Sequence, residues 1–204
     1  MAVTREPRPN LSNSGKTSEI IDGIEFFGFG SGGFDENDLL IIGDEAGNFL
    51  EGNGGNEDHD RIEGNGGNDT LKGLGGNDTL FGDAGDDDLD GGEGTDKLFG
   101  GEGNDILRAG HGHDRMTGDS GHDTFGFYAP GHFQVKDFVI GEDRFFFDSE
   151  VLGINSIEQL LPFITGFNER VDGVTVEFGD VGASIDLVGI HTADITADMV
   201  VFNL

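Results

Sequence analysis

Residues 64–126 read GNGGNDTLK GLGGNDTLF GDAGDDDLD GGEGTDKLF GGEGNDILR AGHGHDRMT GDSGHDTFG, seven successive units of nine residues. Glycine always holds the fourth place, aspartate the sixth and an apolar residue the eighth. Random sequence does not keep three columns in phase, so the array specifies a repeating structure. Each unit divides into a six-residue glycine-rich turn and a three-residue strand whose middle residue points inward. Two units close one coil, so successive turns fall on alternate edges and each aspartate stacks over the one two units later. One edge then carries Asp69, Asp87, Asp105 and Asp123, and the other Asp60, Asp78, Asp96 and Asp114.

Such rows are unstable when empty. Neighbouring strands lie ~4.8 Å apart, and two carboxylates at that separation repel by ~1 kcal/mol in bulk water and by several at an effective dielectric near 20. A divalent cation between adjacent turns reverses the sign. Each carboxylate pair then shares a double positive charge, and backbone carbonyls from turn residues such as Gly64, Gly66, Gly73, Gly75, Gly82, Gly91, Gly100 and Gly118 add oxygen ligands. Pairing turns on the same edge predicts about six calcium ions. Turns of this kind need positive φ at some places, which glycine adopts freely and Asn or Asp tolerate; Asn65, Asp83 and Asp119 fit at the second place. Leu74 and Ala109 depart from the pattern, and their turns are expected to be strained or re-formed. Leu71, Leu80, Leu89, Leu98, Leu107, Met116 and Phe125 form one narrow apolar ladder. A core that thin does not offset chain entropy alone, so metal binding must contribute folding free energy.

Composition agrees. The 204 residues hold 11 Lys plus Arg against 41 Asp plus Glu, a formal charge of -30, which disfavours nucleic acid and anionic membranes and favours cations. The 38 glycines and 18 phenylalanines are placed periodically, unlike a solvating acidic tail. With no cysteine, disulfides and thiolate chemistry are excluded and hard oxygen donors dominate, which points to calcium. The apolar stretch after Arg5, Arg8 and Lys16 is broken by Asp22 and Glu25, so it lacks the core of a cleavable secretion signal, and no membrane span is expected.

Outward from the array the signal weakens. Residues 1–32 read as a polar tail followed by one possible capping strand in IIDGIEFFGFG. The roll itself is expected over 33–126, with worn copies from Gly33 (GFDENDLLI) and from Gly43 (GDEAGNFLE), where Asn48 takes the aspartate place. A twelve-residue copy from Gly52, GNGGNEDHDRIE, keeps Asp60 and Ile62 in register if three residues bulge out of its turn. Residues 127–204 form a β-rich cap with strand-like runs HFQVKDF, DRFFFD, GVTVEFG and ASIDLVG. Asn155 and Ser156 precede IEQLL as a capping box would, with Pro162 ending that short helix, and TADITADM offers another helical turn.

The nonapeptide over 52–126 resembles the RTX (repeats-in-toxin) family, and 127–204 resembles the C-terminal region of serralysin-type secreted proteins through KDFVIGEDRFFF, VTVEFGDVGASIDLVGI and TADITADMVVF. The resemblance implies an all-β, right-handed parallel β-roll with a β-rich cap. It also implies a bacterial, extracellular protein, exported by a type I ABC machine that reads an uncleaved C-terminal signal, and folding on meeting external calcium.

Enzymatic readings find little purchase. The HExxH string of serralysin-like proteases is missing, and so is a GxSxG elbow. Ser120 in GDSG sits at the third place of a repeat turn. His111, His113, His122 and His132 invite a zinc reading, but His113 and His122 fall in successive units and should point to opposite edges, as exposed turn histidines. No catalytic residues are assigned, and a monomer is expected. Two functional classes remain open: a freestanding secreted calcium-binding protein contacting a cell surface or polysaccharide, and a folding and secretion module for an RTX enzyme (protease, lipase or alginate epimerase) whose catalytic domain lies elsewhere. Anionic polysaccharide is the harder ligand, because about six calcium ions offset only about 12 of the formal negative charges.

Overall fold

The computed structural model describes residues 17–21, 24–28, 38–55, 58–179, 182–202 and 204. Its elements are almost all strands. In chain order they are β1 (Thr17–Ile21), β2 (Ile24–Gly28), β3 (Leu39–Ile42), β4 (Phe49–Glu51), β5 (Arg61–Glu63), β6 (Thr70–Gly76), β7 (Thr79–Ala84), β8 (Asp88–Gly94), β9 (Lys97–Glu102), β10 (Ile106–Arg108), β11 (His111–Ser120), β12 (Thr124–Phe127), β13 (Gly131–Val135) and β14 (Arg144–Phe147). Two short helices come next, α1 (Ser149–Leu152) and α2 (Ile157–Leu160), then β15 (Ile164–Arg170), β16 (Gly173–Phe178), β17 (Ala183–Val188) and β18 (Val200–Val201).

The strands stack in two parallel ladders that alternate along the chain. One runs β4–β6–β8–β10–β12–β14–β18. The other runs β3–β5–β7–β9–β11–β13–β17. Within the array the register is two repeats: Leu71 lies over Leu89 and Leu89 over Leu107, while Leu80 lies over Leu98 and Leu98 over Met116. This is the parallel β-roll the nonapeptide predicts. The eighth-place residues from Leu71 to Phe125 are all fully buried and form its spine.

The two worn copies next to the array belong to the same ladders. Leu50 lies over Leu71 and Ile62 over Leu80, as the copies from Gly43 and Gly52 require. Asn56 and Glu57, within the bulge of the twelve-residue copy, lie outside the described residues. The copy aligned from Gly33 needs correction by one residue. Its eighth place is Leu40, but Ile41 is the residue that pairs with Ile62 and is 1% exposed, while Leu40 pairs with Arg61. Burial decides the register, because a one-residue slip exchanges the inward and outward faces of a strand. The single capping strand expected near the N-terminus is instead two, β1 and β2, paired antiparallel to each other and then to β3.

The nonapeptide period stops at residue 126, yet the ladders do not. Phe125 pairs with Phe145, Met116 with Val135, Phe133 with Ile185 and Phe145 with Val200, so the later segments continue both stacks. Here phenylalanine replaces leucine, and Phe127, Phe133, Phe138, Phe145 and Phe147 widen the apolar interior with tilted and stacked ring pairs. The antiparallel strands β16 and β15 then extend the β17 edge. α2 occurs where IEQLL predicts it and passes into a 3₁₀ turn at Leu161–Phe163, which contains Pro162. Gln159 accepts the Asn155 amide at 2.8 Å, while Ser156 makes no side-chain cap bond. TADITADM supplies two 3₁₀ turns, Thr192–Asp194 and Ala197–Met199. Among the described residues no helix is long and apolar enough to cross a membrane.

Candidate metal centre

Amide-to-carboxylate bonds tie the sixth-place aspartates from turn to turn along each edge. The amides of Asp60, Asp78 and Asp96 donate to Oδ1 of Asp78, Asp96 and Asp114 at 2.8, 2.8 and 2.9 Å. On the other edge, the amides of Asp69, Asp87 and Asp105 donate to Oδ1 of Asp87, Asp105 and Asp123 at 2.7, 2.8 and 3.0 Å. The structure thus brings the eight aspartates together as two buried rows of four, none more than 2% exposed.

In six of these eight carboxylates the second oxygen lacks a donor. Oδ2 of Asp69, Asp78, Asp87, Asp96, Asp105 and Asp114 is buried without a hydrogen-bond partner. Its neighbour is another acceptor. Asp87 Oδ2 and the Gly100 carbonyl crowd the side of Gly82 where a side chain would project, the carbonyl lying 2.6 Å from that Cβ position. Asp69 and the Gly82 carbonyl meet likewise at Gly64, Asp78 and the Gly91 carbonyl at Gly73, Asp96 and the Ala109 carbonyl at Gly91, and Asp105 and the Gly118 carbonyl at Gly100. Only glycine leaves room for this meeting. Two buried acceptors side by side without a proton are destabilising. A hard cation satisfies both, and the donor set of carboxylate and peptide oxygen is the one calcium prefers. The third-place glycines Gly66 and Gly75 stand apart from these meetings, beside Glu45 and the Gly54 carbonyl.

The rows end differently. Asp60 meets the Gly73 carbonyl at Gly52, but its Oδ2 accepts the Asn53 amide at 2.7 Å. Above it, the Leu39 amide occupies the next aspartate place and donates to Asp60 Oδ1 at 2.8 Å, and the Asn48 amide does the same to Asp69 Oδ1 at 2.7 Å. At the other end the sequence reading missed Asp143. Asp143 Oδ1 accepts the Asp123 amide at 2.9 Å and its Oδ2 accepts the Val139 amide at 2.7 Å, which closes that row with backbone donors. It stands 20 residues after Asp123 instead of two repeats, which hid it. The signal available was Asp143-Arg144-Phe145, which reproduces the aspartate–any–apolar triplet of the repeat.

Burial raises the carboxyls. Asp78 is pushed up to about 8, Asp105 and Asp114 to about 7, and Asp69, Asp96 and Asp123 to about 6, from an ordinary 3.8. Asp87 and Asp143 move the same way. Neighbouring carboxylates add to the effect, as Asp96 and Asp60 do for Asp78, while the amide bonds to Oδ1 oppose it. Without a metal these carboxyls therefore keep their protons to higher pH than an ordinary carboxyl does.

The turns themselves obey the sequence logic. Asn65, Leu74, Asp83 and Asp119 all hold positive φ, at 71°, 77°, 70° and 65°. Leu74 therefore takes the left-handed conformation despite its side chain. Ser120 donates weakly to the Gly101 carbonyl at 3.4 Å from an exposed position. His122 lies with Asn104 and the Glu142 carbonyl, whereas His113 lies against His132.

The parallel ladders and their buried carboxylate rows, with six donorless oxygens, define a cation-binding β-roll. Residues 54–89 and 90–125 match the family model of the RTX calcium-binding nonapeptide repeat, so this array consists of RTX repeats, and such repeats bind calcium. Among solved structures the chain is similar to the AlgE6R3 subunit of the Azotobacter vinelandii mannuronan C5-epimerase, at 23% identity and a TM-score of 0.38, covering 76% of this chain and 79% of that one. It is also similar to the extracellular lipase LipA of Serratia marcescens, at 17% identity and a TM-score of 0.34, covering 80% of this chain and 40% of the lipase. No curated protein matches it.

Proposed function

We propose that this chain is a non-catalytic, secreted protein that folds on binding about six calcium ions along the two edges of its roll. The observation that carries the reading is the set of donorless Oδ2 atoms on Asp69, Asp78, Asp87, Asp96, Asp105 and Asp114. Five of them face a peptide carbonyl from the next turn of the same edge. These carboxylates and the carbonyls of Gly82, Gly91, Gly100, Ala109 and Gly118 would hold the ions, with Asp60 and Asp123 at the row ends. Bound calcium supplies positive charge that cancels the repulsion within each row. The chain's residues do the rest: the amide ladder fixes each Oδ1 and the first-place glycines keep the space open.

Extracellular calcium modules bind in the ~0.1–1 mM range, which suits a chain kept unfolded in a low-calcium cytosol and folded outside by type I export. Circular dichroism of the full chain titrated with calcium, together with bound-metal analysis, tests this. A cooperative gain of β signal at about six ions is expected. A complete β signal in chelator overturns the folding role, and uptake of only one or two ions overturns the site assignment.

A further inference from the structure

Beside the aspartate rows, the fifth-place residues form rows of their own. On the edge of Asp114 this row runs through His59, Asn77 and Thr95, tied by an Asn77–His59 contact at 3.3 Å and a Thr95 amide donating to Asn77 Oδ1 at 2.9 Å. It continues through His113 on β11, His132 on β13 and Ser184 on β17, which stand in register on adjacent parallel strands. The two imidazoles are exposed, with ring centroids 4.7 Å apart and planes tilted by 43°. His132 Nδ1 lies 2.9 Å from Ser184 Oγ, which leaves Nε2 as the nitrogen a metal would take.

The geometry points to a second class of metal site, in which His113 and His132 chelate a borderline-soft divalent ion such as zinc, separate from the calcium rows. Imidazole nitrogen is a poor ligand for calcium and a good one for zinc. With Zn–N bonds of about 2.0–2.1 Å and a near-tetrahedral angle, two imidazoles on one ion place their centroids about 5 Å apart, close to the separation already present. Convergence requires the exposed His113 ring to turn toward His132, whose Nδ1 stays on Ser184. Ser184 acts as a positioning residue, since a bond to one ring nitrogen fixes which nitrogen is offered to a metal. The recess around the pair is lined by Lys97, Arg115 and Asp186 and reaches Asp96 and Asp114 of the calcium row, but among the described residues no third side chain closes on the pair as a ligand. Water completes the shell.

The placement gives the site a purpose. His113 belongs to the sixth regular repeat and His132 to the segment after the repeats stop, so an ion shared between them clamps β11 to β13 across that junction. This goes beyond the calcium reading and is tested with the calcium sites full. Zinc chloride titrated into the full chain in millimolar calcium should show one ion per chain by calorimetry. His113→Gln or His132→Gln should weaken that uptake roughly tenfold or more, and Ser184→Ala by less. His122→Gln, on the other edge, should leave it unchanged. The calcium-induced circular dichroism of each variant reports its folding. In the unmodified protein, the ring resonances of His113 and His132 should shift together on zinc addition, and zinc should raise Tm by mass action. No uptake up to ~100 µM zinc, uptake that both glutamine variants keep, or ring shifts confined to other histidines overturns the assignment.

Discussion

The backbone amide of Asp69 donates to Oδ1 of Asp87 at 2.7 Å, and the same carboxylate keeps its Oδ2 without a donor beside the Gly100 carbonyl. One bond builds the turn stack while the other oxygen opposes it. Folding and cation demand therefore reside in a single side chain. Asp87→Asn keeps the shape and can turn an amide hydrogen toward that carbonyl. In chelator the variant should be more folded than the parent, recovering about 1–3 kcal/mol of unsatisfied-acceptor cost. In calcium it should bind more weakly, roughly tenfold at the affected sites. Paired dichroism titrations check both signs, and a variant that is less folded in both conditions sinks the account.

The raised carboxyls set a pH dependence for the calcium-free chain. Folded values from about 6 to about 8 lie above the unfolded 3.8, so the folded state binds more protons. Stability in chelator should therefore be greatest at acid pH, decline from about pH 4, and reach its floor once pH passes about 8. Calcium affinity should run the opposite way, with proton release on binding between about pH 6 and 8. Dichroism in chelator at pH 5 and 8 decides it: an equal or smaller β signal at pH 5 contradicts the burial argument.

The roll and both rows were legible because the repeat fixes spacing, side and burial at once. Asp69 over Asp87 and Asp78 over Asp96 come from counting alone. Residues 127–204 were harder to read because tertiary contacts replace periodicity there: Asp143 joins its row after a longer loop, and β15 has too little alternation to announce itself. At the opposite end, Ile41 takes the place that alignment gives Leu40. The donorless Oδ2 atoms were not legible either, since in five of the six cases they depend on a first-place glycine that lets a carbonyl from the next coil approach the carboxylate.

The spine makes a packing prediction. Leu89 lies fully buried between Leu71 and Leu107, with one apolar side chain per repeat to fill each layer. Leu89→Ala should cost about 2–5 kcal/mol, because a one-residue-wide core cannot collapse onto the gap. The calcium midpoint for folding should rise accordingly. A midpoint unchanged from the parent would mean that the spine is not tightly packed.

Backbone conformation gives opposite signs at two turn positions. Leu74 holds φ of 77° and is 38% exposed, so its side chain contributes strain with little burial in return. Left-handed backbone costs a non-glycine residue about 1–2 kcal/mol, and Leu74→Gly should recover about 1 kcal/mol of it after the added chain entropy. Gly94 is the converse case: φ is 135°, and a Cβ there would overlap the Gly76 carbonyl oxygen of the coil beneath. Gly94→Ala should cost about 3 kcal/mol or more, through strain and displacement of that carbonyl together. Urea unfolding in saturating calcium ranks the three chains, and the order Leu74→Gly above parent above Gly94→Ala is required; any other order refutes the turn conformations at these two positions.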